Sequence, residues 1–246
     1  MSYEIDLSGQ VAIITGAAKG IGKAAAEILT QAGAQVVIDD IIDPKKAQPI
    51  LEEIGKLGLR PYYIQKDISK EENCRELAAE VLDKFSRIDI LVNNAGVVAD
   101  WDKSFDIHVK AVHYCSEAVK DHMAKRGSGR IINITSTCVF SGGTGIPQYV
   151  ATKAGAYSLT RYQAKTYAPL GILVNAVMPS VIMSEMIMTR YTSTEEMEAH
   201  YIPQMPVGRI GYPEDVANVI LFLCSELSSF VCGEIIVADG GRLAVG

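Results

Sequence analysis

Short unbroken apolar runs recur along the chain, and amphipathic stretches of helical length separate them. Val11-Ala12-Ile13-Ile14 is the first run, Gln35-Val36-Val37-Ile38-Asp39-Asp40 the second, and others follow near 60–65, 88–92, 130–134 and 172–177. A short continuous apolar run is the signature of a strand buried on both faces. Between the runs, apolar residues at helical spacing predict helices over about 22–31, 44–57, 70–86, 101–126 and 147–168, with another opening at Pro213. This alternation predicts an α/β fold in one domain over 1–246, a doubly wound parallel sheet flanked by helices with right-handed crossovers. Ligands of such sheets sit beyond the carboxyl ends of the strands. That rule gathers Gly16, Asp40, Asp67, Asn94, Ser136 and the residues after Val177 along one edge.

Composition narrows the chemistry. The net charge is −6, and no long block of like charge appears in the 246 residues. Partnership with nucleic acid or an anionic membrane is therefore disfavoured. No apolar run approaches the roughly 18 residues that span a bilayer. The opening Met1-Ser2-Tyr3-Glu4-Ile5-Asp6 lacks a charged segment leading into an apolar one, so a cytoplasmic location is expected. The five cysteines, Cys74, Cys115, Cys138, Cys224 and Cys232, show no C-x-x-C pair and fit buried thiols of a reducing compartment. His113, His122 and Cys115 have no metal-ligand spacing, and no metal is expected.

Candidate chemistry begins where the first apolar run meets Thr15-Gly16-Ala17-Ala18-Lys19-Gly20-Ile21-Gly22. Strand, glycine-rich turn and helix together predict a dinucleotide site. Gly16 makes the tight turn, Gly20 admits the pyrophosphate to the backbone, and Gly22 lets the helix pack closely, while the helix start favours the anion. Asp40, which ends the second strand 18 residues beyond Gly22, is placed to accept hydrogen bonds from the adenosine ribose better than Asp39. A carboxylate there repels a 2′-phosphate and favours NAD over NADP; Lys19 pulls the other way. Tyr149 and Lys153 stand one turn apart at the start of a helix. A nearby ammonium favours the phenolate, which makes Tyr149 a candidate acid/base and Lys153 its tuner.

These pieces, with Asp67-Ile68, Asn93-Asn94-Ala95-Gly96, Asn133-Ile134-Thr135-Ser136, Val174-Asn175-Ala176-Val177-Met178-Pro179 and Asp239-Gly240-Gly241, occur in one order over nearly the whole chain. In this the sequence resembles the short-chain dehydrogenase/reductases. The resemblance implies a Rossmann-type sheet of about seven strands and a nicotinamide-dependent oxidoreductase of secondary alcohols and ketones. A serine thirteen residues before the tyrosine is Ser136. Ser136 and Tyr149 would hold the reacting oxygen, and Lys153 the nicotinamide ribose. Asp67 and Ile68 would contact adenine. Ile21, Asn94, Ala95 and Gly96 would line the cofactor cleft, and Pro179, Ile182 and Ser184 would lie at the carboxamide.

Three departures stand out. Ile107-His108 replaces the usual Val-Asn, whose asparagine steadies a water that relays protons from the lysine. His108 is either a relay titrating near neutral pH or a packed helix histidine. Only eleven residues separate Gly96 from His108, which shortens one wall of the substrate cleft. Ser180 stands after Pro179 where glycine is usual. A lid over about 183–209 carries Met183, Met186, Met188, Met197 and Met205 with Tyr191 and Tyr201, and Val139, Phe140, Gln148 and Tyr191 are expected to wall the cleft. Sugar, polyol, small hydroxyketone or steroid-like alcohol substrates all fit. The negative charge, and Leu170 at a position that tends to be basic in reductases of carrier-bound acyl groups, weigh against that class. A low-turnover nicotinamide sensor and a nucleotide-sugar epimerase are the rivals from other classes. The resemblance also implies a homotetramer that pairs helices 101–126 and 147–168, with small residues Ala151, Ala154, Gly155 and Ala156 easing close approach and 230–246 completing the assembly.

Overall fold

Why the apolar runs show no alternation is plain once the layers are seen. A computed structural model describes residues 4–143 and 145–244; Met1, Ser2 and Tyr3, the last two positions of the 230–246 segment and the Met186 side chain lie outside the described residues. Among the described residues the strands are β1 (Val11–Thr15), β2 (Gln35–Asp40), β3 (Tyr62–Gln65), β4 (Ile90–Asn93), β5 (Gly129–Ile134), β6 (Ile172–Pro179) and β7 (Ile235–Ala238). They form one sheet in the order β3-β2-β1-β4-β5-β6-β7, and every pairing is parallel. Successive side chains of a strand point to opposite faces. Ala12, Ile14, Val36 and Ile38 enter one core with Ala25 and Leu29 of α1 (Gly20–Gln31) and Ile220 of α10 (Pro213–Cys224). Ile13, Val37 and Leu91 enter the other, with Leu77 and Val81 of α3 (Glu71–Phe85) and Val119 and Met123 of α5 (Ala111–Arg126). Both faces are covered, so the strands read as nearly continuous apolar runs.

The strand order reverses between β1 and β4, which is where a doubly wound sheet opens its crevice. Buried polar groups pin that edge. Asn93 Nδ2 donates to Asn133 Oδ1 (2.9 Å) and Ser116 Oγ (3.2 Å), and Asn133 Nδ2 donates to Thr160 Oγ1 (3.0 Å) and Gln163 Oε1 (3.1 Å). The ends of β4 and β5 are thereby tied to α5 and to α7 (Pro147–Tyr167).

Several boundaries differ from expectation for local reasons. The third strand starts at Tyr62, after Pro61, which has no N–H for the ladder. The helix over 44–57 ends as α2 (Pro44–Ile54), closed by Gly55. The expected continuous helix over 101–126 is three pieces: α4 (Trp101–Phe105), a π-helical turn (Asp106–Lys110) and α5. A short helix not expected from periodicity, α6 (Cys138–Ser141), follows β5. In the 183–209 segment α8 (Glu185–Met188), α9 (Thr194–Tyr201) and a 3-10 turn (Ile202–Gln204) fold over a small apolar cluster of Val181, Met197, Met205 and Ile210. Two of the small residues expected between subunits face inward. A Cβ on Gly155 would stand 2.8 Å from Val109 Cγ2, so that glycine lets the π turn approach α7 within the chain. Ala156 is buried. No helix among the described residues is long and apolar enough to cross a membrane.

Candidate active site

The β1–α1 loop is built by backbone closeness that only glycine permits. Gly16 has φ +63, and a Cβ there would lie 2.8 Å from Ala95 Cα. A Cβ on Gly22 would lie 2.4 Å from Asn94 Nδ2 and 2.6 Å from Gly16 O. Gly20 is different: with φ +57, its added Cβ would meet nothing within 4 Å. That open ground at the start of α1 fits a pyrophosphate. The loop is fastened to the β4 edge by Asn94, whose Nδ2 donates to Thr15 O (2.9 Å) and Gly16 O (3.0 Å). Thr15 Oγ1 accepts the N–H groups of Asn94 and Ala95 at 3.1 and 3.2 Å.

At the end of β2 the two acids separate. Asp39 is 1% exposed, with one carboxylate oxygen unpartnered, and burial pushes its carboxyl well above the usual range. Asp40 lies at the loop, where its Oδ2 accepts the Ala18 N–H at 3.0 Å and its Oδ1 the Ile41 N–H at 2.8 Å. Asp67 caps its own turn through Ser69 N–H (3.1 Å). Ile68 packs its side chain into the core, and its carbonyl accepts the Cys74 thiol (3.2 Å). Lys19 pairs with Glu185 at 2.7 Å, a link from the glycine loop to the first residue of α8. Ser184 caps α8 by accepting the Ile187 N–H (3.4 Å), Ile182 bridges to Gly211, and the Pro179 carbonyl accepts the Thr137 N–H at 3.0 Å.

At the start of α7, Tyr149 lies beside Ser136, whose Oγ accepts the Cys138 N–H at 3.4 Å. Burial raises the Tyr149 phenol to about 12; the neighbouring Ser136 hydroxyl and the charge of Arg190, in the turn after α8, act against it. Lys153 is 4% exposed, donates from Nζ to Ile134 O at 2.8 Å, and is lowered to about 8 by burial. Its Nζ stands 5.9 Å from the Tyr149 ring centroid. Burial is the largest influence on Tyr149 and moves its phenol upward, away from phenolate.

His108 is 1% exposed. Val97 N–H donates to its Nε2 (3.0 Å), and its Nδ1 meets Thr152 Oγ1 at 2.8 Å. Burial first, and then the Lys153 charge, lower it to about 3. The expectation of a histidine titrating near neutral pH is overturned for that reason. A Cβ on Gly96 would lie 3.5 Å from His108 Nε2 and 3.6 Å from Lys153 Nζ, so this glycine occupies the narrow gap between them. Among the expected wall residues, Gln148 Nε2 donates to Ala99 O (2.8 Å), Phe140 is exposed against Tyr157, and Tyr191 meets Tyr201 edge to face in the lid. Val139 is half-buried and packs against the cluster of Ala176, Met178 and Ile235. Sequence reasoning gave Thr152 and Arg190 no role. Thr152 lies one turn after Gln148, a spacing that carries a signal; Arg190 sits in a lid whose fold has no periodicity to read.

A family model described as Enoyl-(Acyl carrier protein) reductase matches residues 16–242. The 3-oxoacyl-[acyl-carrier-protein] reductase of Aquifex aeolicus is 38% identical over 249 residues, covering 97% of this chain and 99% of its own. The chain is a short-chain dehydrogenase/reductase. This enzyme's fold matches a protein of Sinorhizobium meliloti described as a short-chain alcohol dehydrogenase (TM-score 0.92, 31% identity, 98% and 99% of the two chains). It also matches a Beutenbergia cavernae protein described as an NAD(P)-dependent gluconate 5-dehydrogenase with bound NADP (TM-score 0.90, 31% identity, 98% and 100%). The dehydrogenase/reductase is thus an oxidoreductase of CH–OH and keto groups that uses a nicotinamide cofactor.

The His108 geometry carries a pH signature. The unfolded chain binds a proton on this imidazole near 6.5 and the folded chain only near 3, so between those values the unfolded state holds more protons and stability rises with pH. Stability fully present above pH 6.5 is lost as pH falls, at about 1.4 kcal/mol per unit, or about 2 kcal/mol by pH 5. In His108→Asn the drop in thermal midpoint from pH 7.5 to 5 shrinks by several degrees; equal drops in both proteins would contradict the neutral burial.

Proposed function

We propose that this enzyme reduces a ketone to a secondary alcohol, reversibly, with Tyr149 as proton donor, Ser136 as second donor to the reacting oxygen and Lys153 as anchor of the nicotinamide ribose. The observation that carries the reading is the buried Tyr149 phenol beside Ser136, one helical turn from the buried Lys153 at the carboxyl edge of the sheet. Two neighbouring hydroxyl donors can stabilise the charge that develops on a carbonyl oxygen. A phenol raised to about 12 is protonated at neutral pH, which suits proton donation to a ketone more than proton removal from an alcohol. Bound nicotinamide supplies the hydride. Lys153 spends one N–H on Ile134 O, and its other donors are available to ribose hydroxyls.

For the cofactor, the residues proposed to hold it are Gly16, Gly20, Ile21 and Gly22 at the pyrophosphate, Asp40 at the ribose, Asp67 and Ile68 at adenine, Asn94, Ala95 and Gly96 along the cleft, and Pro179, Ile182 and Ser184 at the carboxamide. NAD remains the preferred form: Asp40 is fixed beside the loop, and the Lys19 cation is already paired with Glu185. The NADP bound to the Beutenbergia relative argues the other way.

Two substrate classes are in play. A 3-oxoacyl thioester follows from the name of the Aquifex relative and suits the apolar lid of Met183, Ile187 and Met188; Leu170, 39% exposed, still offers no charge to an acidic carrier. A sugar-derived keto acid follows from the Beutenbergia relative, and Arg190, whose charge is felt at Tyr149, would meet its carboxylate. We also propose a homotetramer, in which exposed Phe105, Tyr162 and Phe230 would be covered.

Three measurements test these readings. Absorbance of reduced nicotinamide, followed with 3-oxoacyl thioesters, keto acids, sugars and polyols, should show turnover that Tyr149→Phe lowers on the order of 10²–10⁴-fold; unchanged turnover in that variant would remove Tyr149 from the chemistry. Asp40→Asn should move the kcat/KM ratio toward NADP by roughly tenfold, the size of a repulsion of about 1.4 kcal/mol, and no movement would free Asp40 of that role. Light scattering at micromolar protein should give the mass of four copies; a monomer ends the tetramer proposal.

A further inference from the structure

The replacement of the usual asparagine by His108 leaves a question that geometry answers. An N–H group can only donate, so the Val97 N–H, 3.0 Å from Nε2, requires a lone pair there. A neutral imidazole with Nε2 unprotonated carries its proton on Nδ1, and that N–H points at Thr152 Oγ1 at 2.8 Å. Thr152 Oγ1 accepts it and donates onward to Gln148 O at 2.7 Å. Both ring nitrogens are committed, and protonation would set an N–H against an N–H at Val97. The charges near the ring are consistent with this: the Lys153 cation, on α7, disfavours a second cation, and on the π turn Asp106 and Lys110 pair with each other at 2.8 Å. Among the described residues no carboxylate contacts the ring to favour an imidazolium.

The same contacts form a brace. The short loop 97–100 is held at Val97 by His108, and at the Ala99 carbonyl by Gln148 Nε2 (2.8 Å) and Ser104 Oγ (3.2 Å). Gln148 and Thr152 flank Tyr149 on α7, and the His108 ring stands edge-on to the Tyr149 ring, 5.3 Å between centroids at 87°. An edge-to-face pair fixes the plane of both rings.

We propose that His108 is a neutral positioning residue, which locks the shortened loop to the first turn of α7 and sets the plane of the Tyr149 ring, and which carries no proton between Lys153 and solvent. The kinetic part rests on the reductase reading above; the tautomer does not. His108 thus takes the asparagine's place without its task.

Two experiments separate these parts. In deuterated protein with 15N-histidine, the His108 signals, assigned by their loss in His108→Asn, should show a protonated Nδ1 and an unprotonated Nε2, unchanged from pH 5.5 to 8.5. Titration near 6.5, or a proton on Nε2, would overturn the proposal whatever the enzyme's substrate. With an active substrate in hand, His108→Asn keeps a donor toward Thr152 and loses the acceptor for Val97, while His108→Gln does the reverse. Each should lower kcat by roughly 10- to 100-fold as Tyr149 loses its placement, with KM for cofactor little changed and the apparent pKa values of the pH–rate profile kept. A profile that loses an inflection in either variant, or activity of His108→Ala restored by added imidazole, would make His108 a relay and defeat the inference.

Discussion

A lysine ammonium held almost out of water conditions everything around it. Lys153 finds one carbonyl, that of Ile134, and no carboxylate among the described residues. Burying a cation without a counter-charge is unfavourable, and the structure meets this by lowering the ammonium's pKa and by keeping its neighbours uncharged. His108 stays neutral partly because Lys153 is there. Tyr149 stays protonated because the same dry interior penalises a phenolate. What remains is an unpaired cation at the strand ends, which a sugar hydroxyl or a developing negative charge can satisfy.

Much of the fold was legible because both faces of the sheet are covered. Continuous apolar runs such as Val36-Val37-Ile38 have no other ready explanation, and the glycines could be given separate duties from their spacing alone. Gly16 and Gly22 do stand where a side chain would collide with backbone, and Gly20 where nothing would be touched. The choice of Asp40 over Asp39 was open to reading because strand alternation sends the first of two adjacent residues inward if the second faces the loop.

Other features left no trace in the pattern. The direction of the Tyr149 shift depends on competition between burial and a charge whose distance no spacing reveals. Val139 and Phe140 belong to a four-residue helix, too short for periodicity to register. Gly155 and Ala156 looked like an outward seam because small residues ease any close approach; that the neighbour is Val109 of the same chain is a tertiary fact. The 183–209 segment folds around methionines whose unbranched chains fill irregular gaps, and irregular gaps have no period.

The π turn at Asp106–Lys110 gives the placement of His108 an unusual origin. A π turn is an α-helix with one residue too many. Each residue of an ordinary helix advances the face by about 100°, so deleting one position between Asp106 and Lys110 would let the segment relax to regular helix while swinging α4 around its axis relative to α5. The brace between loop 97–100 and α7 is therefore encoded in the count of residues as well as in their kinds. A lineage could gain or lose it by a single codon's insertion or deletion, with every side chain in the site left unaltered.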